Sequence, residues 1–167
     1  ARPHELVATV QAASPADVPA AVRTAVEAGR AWGRRPTAER IAVLRRAAGL
    51  LRERRYDLVA WEMFEVGKPW READADVAEA IDFLEFYARQ MAQLSEPVRL
   101  GHYPGELNQQ HHHPRGVTAV IAPWNFPLAM ITTSFQSSSL KSFLKLFQIC
   151  LPTKKISIYR RDYYTPK

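Results

Sequence analysis

An asparagine held between two prolines is the residue of this sequence whose possible chemistry is easiest to state. Asn125 stands in the run Pro123-Trp124-Asn125-Phe126-Pro127, directly after the apolar segment 117–122. A side-chain amide donates hydrogen bonds without titrating, so Asn125 suits the stabilisation of a developing oxyanion. On residue type alone, an asparagine between prolines is more often a plain turn residue, and both interpretations stay open at this point.

The segment before this turn is predicted to be a strand buried on both faces. Residues 117–122 form a short, mostly β-branched apolar run bounded by Gly116 and Pro123, as in a parallel strand. Open α/β sheets place ligands and catalytic groups where such strands end. No G-x-G-x-x-G loop follows, which argues against a classical dinucleotide-binding strand.

A helical region is predicted ahead of this strand. The first helix should begin at the N-cap Ser14, a second should open at Pro36 and Thr37, and Gly67 should end a third. The third helix is expected to pack through Leu58, Trp61, Met63 and Phe64. The fourth and longest helix should span about residues 71–94. Residues 1–13 read as a loose strand, and residues 98–100 and 107–113 as two further strands.

Two groups of side chains invite an acid–base or metal interpretation, and both are set aside. The carboxylates of the fourth helix scatter around it without a His or Cys companion, so a solvated face is expected; they are Glu72, Asp74, Asp76, Glu79 and Asp82. Successive strand residues point to opposite faces, so His111, His112 and His113 cannot converge on one ion. No metal site is therefore predicted.

Several separated motifs resemble one protein family. Pro-Trp-Asn-Phe-Pro after an apolar strand resembles the signature of the aldehyde dehydrogenases, and the upstream motifs resemble their 1-pyrroline-5-carboxylate (L-glutamate γ-semialdehyde) dehydrogenase branch. The upstream motifs are Glu65-Val66-Gly67-Lys68-Pro69-Trp70, the run 72–83, and Tyr87-Ala88-Arg89-Gln90-Met91. The resemblance covers roughly residues 1–130. It implies an α/β fold, here the incomplete N-terminal part of an NAD-binding domain, helical to about residue 94 and then strands.

The resemblance also implies chemistry. Family members oxidise an aldehyde through a Cys thiolate, with a Glu-activated water and NAD as hydride acceptor. Asn125 is thereby predicted to be catalytic, in an oxyanion role, and Ile121, Ala122, Pro123 and Trp124 are predicted to line the cofactor. A small-molecule aldehyde substrate, a homo-oligomeric parent and a cytoplasmic location are implied. Cys150 does not match the surroundings of the family's nucleophile, so the chain alone is expected to be inactive.

The composition changes near residue 130. Residues 1–130 carry 16 basic and 16 acidic side chains, whereas residues 131–167 carry seven basic residues and one acid. Residues 131–167 also contain no alanine, against 24 in residues 1–130. The family's Gly-Asn…Lys-Pro segment is missing after Met130. Residues 131–167 are therefore predicted to be a non-family tail, produced by a frameshift, a fusion or a truncation.

Alternatives to an enzyme remain. The whole net charge of +6 lies in residues 131–167, so the basic composition does not indicate nucleic-acid binding by the rest of the chain. Leu140, Phe143, Leu144 and Phe147 could form a weak amphipathic face. No apolar run approaches the roughly 20 residues of a membrane span, and no membrane or nucleic-acid partner is predicted. The competing interpretation is a non-enzymatic helical interaction module with a basic tail.

Overall fold

The computed structural model describes residues 6–10, 13–113, 116–133 and 156–159. Four long helices dominate these residues: α1 Asp17–Gly33, α2 Thr37–Glu53, α3 Arg55–Val66 and α4 Trp70–Leu94. The strands are short: β1 Leu6–Val10, β2 Val98–Arg99, β3 Gln109–Gln110 and β4 Ile156–Tyr159. The predicted succession, helical to about residue 94 and then strands, is confirmed.

The core lies where α2, α3 and α4 meet. Its buried apolar residues recur three or four positions apart along α4, which gives that helix one continuous apolar face. The cluster comprises Ile41, Leu44 and Ala48 of α2, Val59 of α3, and Ala73, Val77, Ile81, Leu84, Ala88 and Met91 of α4. Because small alanines alternate with larger side chains, the helices approach closely.

Two predicted details of the helices are wrong. Helix α1 begins at Asp17 with Ala16 rather than Ser14 at its N-cap position; Ser14 donates from both its N–H and its Oγ to the Asp17 carboxylate at 2.7 Å. These hydrogen bonds lower the pKa of Asp17. On α3, Trp61 and Phe64 are exposed to 48% and 41%. The buried residues of α3 are Val59 and Glu62, three apart; of the predicted anchors, Leu58 does pack against the core, whereas Met63 is exposed as well.

The strand candidates that follow α4 form a small antiparallel pair. Val98 faces Gln110 and Arg99 faces Gln109 across β2 and β3, which lie within the predicted segments. Gly101 and Gly105 between them have φ of 62° and 84°, backbone angles that favour glycine. Strand β1 pairs antiparallel with β4, a partner that the sequence pattern did not indicate.

Residues 117–122 do not form the strand that was predicted. They belong to no ladder among the described residues, and Val120, at 5% exposed, is the one buried residue of the segment, whereas Ile121 is 84% exposed. A parallel strand is buried by neighbours on both sides, and the described part of the chain supplies no such neighbour. The segment leads into the turn that carries Asn125.

Other predictions fall outside the described residues. The amphipathic face formed by Leu140, Phe143, Leu144 and Phe147 lies there, as does Cys150. Within the described ranges, no helix has the length and apolar character needed to cross a membrane.

Candidate active site

The turn that carries Asn125 is a surface feature. The backbone N–H of Phe126 donates to the carbonyl oxygen of Pro123 at 3.2 Å, which closes the turn around Trp124 and Asn125. Trp124 is 71% exposed, and Asn125 is exposed as well. The Asn125 amide is therefore accessible to an external group, as an oxyanion donor must be.

The connection between α3 and α4 faces this turn. Gly67 ends α3 with φ 73° and ψ 20°, a left-handed position where glycine carries no steric cost. Pro69 follows with extended ψ and sets the N-terminal boundary of α4. Lys68 is thus fixed between two helix ends, and its side chain is only 11% exposed.

A cleft of about 510 Å³ separates the turn from this connection. One wall comprises Val66, Gly67, Lys68 and Pro69 with Glu72, Ala75, Asp76 and Glu79 of α4, and the other comprises Trp124, Asn125 and Phe126. Its volume lies in the range of small-molecule sites. The cleft places the predicted oxyanion donor beside acidic and basic side chains of the helical region.

A buried ionic cluster underlies the cleft. The Lys68 ammonium lies 3.1 Å from Glu62 Oε2 and 3.2 Å from Asp76 Oδ2, and the two carboxylate side chains are 5% and 1% exposed. The contact with Asp76 is an ion pair by distance, but its angles fall outside hydrogen-bonding range. The expectation that the α4 carboxylates form a solvated face is therefore wrong for Asp76. Asp76 lies between the core residues Ala73 and Val77 and turns inward with them.

The charges of this cluster do not balance if every group is ionised. Two carboxylates share one ammonium, and Glu62 Oε1 and Asp76 Oδ1 lack hydrogen-bond partners among the described residues. Burial, and secondly the neighbouring Asp76 carboxylate, raise the pKa of Glu62 to about 8, against an opposing effect of Lys68. A proton on Glu62 lets one carboxyl donate to the other and leaves the cluster neutral near pH 7.

Lys68 also contacts the Asn125 turn. Its ammonium lies 4.8 Å from the centroid of the Phe126 ring, within the range of a cation–π interaction. The cluster is thereby joined to the residue that follows Asn125. Sequence reasoning missed Glu62, Lys68 and Asp76 as a group; the spacing of Asp76 from the apolar residues of α4 was the signal that could have found it.

The other predicted site residues are dispersed along the turn. Trp124 lines the cleft with Asn125, whereas Ile121, Ala122 and Pro123 do not. The rings of His111 and His113 lie 6.5 Å apart, and all three histidines are exposed and follow the end of β3. No group of three or more metal-binding side chains occurs among the residues that the structure describes.

A further ion pair braces α3 against α4 away from the cleft. Arg55 donates from Nε and Nη2 to the two carboxylate oxygens of Asp74 at 2.6 and 2.8 Å. Hydrogen bonding to Asp74 raises the pKa of Arg55, and hydrogen bonding to Arg55 lowers the pKa of Asp74. Both side chains are partly exposed, so this pair tests the helix packing independently of the cleft.

Comparison with known proteins places these features in a family. The aldehyde dehydrogenase family profile matches residues 2–138. A 1-pyrroline-5-carboxylate dehydrogenase of Geobacillus kaustophilus (strain HTA426) is 46% identical over 127 residues, which cover 76% of this chain and 25% of that protein. The chain thus spans about a quarter of the length of this relative.

Solved structures agree. Proline utilization A from Bdellovibrio bacteriovorus superposes with a TM-score of 0.78 at 40% identity, covering 80% of this chain and 14% of that one. A 1-pyrroline-5-carboxylate dehydrogenase from Thermus with bound NAD gives a TM-score of 0.76 at 41% identity, covering 80% of this chain and 26% of that one. The described helices and short strands therefore have the arrangement found in these proteins, and the chain belongs to the aldehyde dehydrogenase family.

Proposed function

We propose that this chain is the N-terminal part of an NAD-dependent dehydrogenase that oxidises L-glutamate γ-semialdehyde, the open form of 1-pyrroline-5-carboxylate, to glutamate in proline catabolism. The observation that carries the proposal is the exposed Asn125 amide at the edge of a cleft, within residues that match the family. The 46% identity to a relative of that name supports the substrate. No described feature favours the competing proposal of a non-enzymatic interaction module.

Asn125 would act on the oxygen of the aldehyde. When a nucleophile adds to the carbonyl carbon, that oxygen gains negative charge, and the Asn125 Nδ2–H group would donate a hydrogen bond to it. Because the donor is neutral and held in a closed turn, it needs no proton transfer or large reorganisation. Loss of one such donor lowers kcat by roughly 10²–10³-fold.

The segment that leads into the Asn125 turn would contribute to the NAD site. Ile121 and Trp124 are 84% and 71% exposed, and residues 121–123 take part in no ladder among the described residues. This open, extended surface suits contact with a planar cofactor. Ile121, Ala122, Pro123 and Trp124 would hold part of the cofactor, which when bound accepts hydride from the substrate carbon.

The covalent chemistry requires groups that we do not assign in this chain. Cys150 stands 25 residues after Asn125, between Gln148-Ile149 and Leu151-Pro152, and these neighbours do not match those of the family's nucleophile. We therefore propose that the 167-residue chain does not catalyse the oxidation by itself. It supplies the oxyanion donor and one edge of the cofactor site.

We also propose that the family-derived part ends near residue 130 and that residues 131–167 have another origin. The loss of alanine and the concentration of positive charge after residue 130 support this boundary, although the family profile extends to residue 138. The nucleotide sequence around codon 130 tests the frameshift version. A Gly-Asn…Lys-Pro continuation in another frame would support it, and its absence from every frame would exclude it.

The parent enzyme is proposed to be a cytoplasmic homo-oligomer. The family resemblance implies the oligomer, and a single cysteine in 167 residues fits a reducing compartment. Sedimentation of a completed enzyme tests the oligomer: one species larger than a protomer is expected, and a monomer would contradict it.

A chimera tests the proposed reaction. Residues 1–130 of this chain replace the matching segment of the Geobacillus kaustophilus relative, and NADH formation is measured with 1-pyrroline-5-carboxylate. Activity is expected, and Asn125→Ala should lower kcat by roughly 10²–10³-fold. A folded chimera that oxidises other aldehydes but not this substrate would contradict the substrate. An unchanged kcat in Asn125→Ala would contradict the oxyanion role.

A further inference from the structure

The turn that carries Asn125 has few contacts of its own. One backbone hydrogen bond closes it, from the Phe126 N–H to the Pro123 carbonyl, and both Trp124 and Asn125 are exposed. The segment that leads into it belongs to no ladder in the described part of the chain. A side chain that holds the turn from outside would therefore decide where the Asn125 amide points.

Lys68 has the contacts required of such a side chain. Its ammonium lies 4.8 Å from the Phe126 ring centroid, and also 3.1 Å from Glu62 Oε2 and 3.2 Å from Asp76 Oδ2. Because a long lysine side chain is otherwise flexible, two carboxylates from two different helices are needed to fix the position of its charge.

We infer that Lys68 is a positioning residue for the Asn125 turn: Glu62 and Asp76 fix its ammonium, and the ammonium holds the Phe126 ring and with it the adjacent Asn125. The inference deepens the proposed function, on which it rests for the importance of Asn125. The contact itself, however, is a property of this chain and requires neither cofactor nor substrate.

The surroundings favour a charge interaction over simple packing. A buried ammonium loses hydration, which strengthens its attraction to a neighbouring aromatic face. Glu62 faces it from α3 and Asp76 from α4, and Glu72 and Glu79 of α4 also line the cleft. An apolar residue of equal length at position 68 would keep the bulk beside Phe126 but would lose both the attraction to the ring and the anchoring to the carboxylates.

Backbone order parameters of residues 124–126, measured by NMR relaxation on the full chain, test the inference. In the unsubstituted chain these residues should approach the rigid value of about 0.85, and in Lys68→Met they should fall below about 0.6. Lys68→Arg should restore order, because a guanidinium pairs with carboxylates and stacks on rings. Unchanged order in Lys68→Met, or no recovery in Lys68→Arg, would overturn the inference.

Two further variants separate positioning from general stability. Phe126→Leu leaves the ionic cluster intact, so it should loosen residues 124 and 125 while the urea midpoint is retained, even if Lys68→Met does not fold. Arg55→Met removes the ion pair between α3 and α4 away from the turn, and should leave the order of residues 124–126 unchanged. The positioning role would be contradicted if the turn stays ordered in Phe126→Leu. It would also be contradicted if Arg55→Met loosens the turn as much as Lys68→Met does. Unchanged order parameters would refute the positioning role of Lys68 even if the chimera is active. The two proposals are therefore tested separately.

Discussion

Glu62→Gln isolates the titration of the buried cluster. The folded chain raises the pKa of Glu62 from 4.5 to about 8, mainly because the carboxyl is buried and secondly because the protonated form can donate a hydrogen bond to the neighbouring Asp76 carboxylate. Between those two values the folded chain therefore keeps a proton that the unfolded chain has lost. The free energy of unfolding must then decrease as the pH rises through this interval, since the native state binds more protons.

The magnitude follows from the two pKa values. A change from 4.5 to about 8 corresponds to at most roughly 5 kcal/mol, because each unit of pKa is worth about 1.4 kcal/mol. Glutamine resembles the protonated carboxyl in shape and cannot ionise. Glu62→Gln should therefore match the unsubstituted chain within about 1 kcal/mol near pH 5, and should be the more stable protein by several kcal/mol near pH 9.

Urea unfolding followed by far-UV circular dichroism measures this difference. Unfolding curves are recorded at several pH values from about 5 to about 9 for both proteins. Glu65→Gln is the matched control, because Glu65 is an exposed carboxylate of the same helix, and its pH profile should parallel that of the unsubstituted chain. If the free energy of unfolding of Glu62→Gln also changes with pH in parallel with that of the unsubstituted chain, then Glu62 and Asp76 do not share a proton in the folded chain.

Four further substitutions test the helical scaffold by urea unfolding. Gly67→Ala should destabilise the chain by about 1–2 kcal/mol because its φ of 73° is left-handed. Gly49 lies within α2 and has open space for a Cβ, so Gly49→Ala should stabilise the chain by about 0.5–1 kcal/mol. Equal changes in stability for Gly67→Ala and Gly49→Ala would contradict the explanation from backbone conformation. Arg55→Met should leave the urea midpoint nearly unchanged, since its pair with Asp74 is partly exposed; a clear loss of stability would show that the pair is essential to packing. Leu44→Ala should cost about 2–5 kcal/mol, because Leu44 is 3% exposed in the core; a loss below 1 kcal/mol, on the scale of surface changes, would place the core elsewhere.

Local signals in the sequence predicted the helical region well. Helical spacing identified α4, and Gly67 and Pro69 marked the boundary between α3 and α4, where the backbone is left-handed and then extended. These features depend on neighbouring residues alone. The strand at 117–122 was predicted from the same kind of pattern and was wrong in this chain, because a ladder depends on residues distant in sequence.

The candidate site was predicted only in part. The motif resemblance identified Asn125, which the structure places at the cleft edge. The ionic cluster was missed, because a pattern of charged residues on a helix does not show that Asp76 turns inward or that Lys68 reaches two carboxylates. A lysine between two helix ends, with an acid on the inner face of each helix, is a tertiary arrangement. The rule that charged residues face solvent predicted the opposite for Asp76.

We propose that Asn125 belongs to a site whose nucleophile this chain does not supply. NADH formation by the purified 167-residue chain tests this proposal most directly. The chain is incubated with NAD and 1-pyrroline-5-carboxylate, and absorbance is compared with a protein-free control. The rates are expected to be equal. NADH formation above the control that is lost in Cys150→Ser would contradict the claim, because Cys150 would then be the nucleophile.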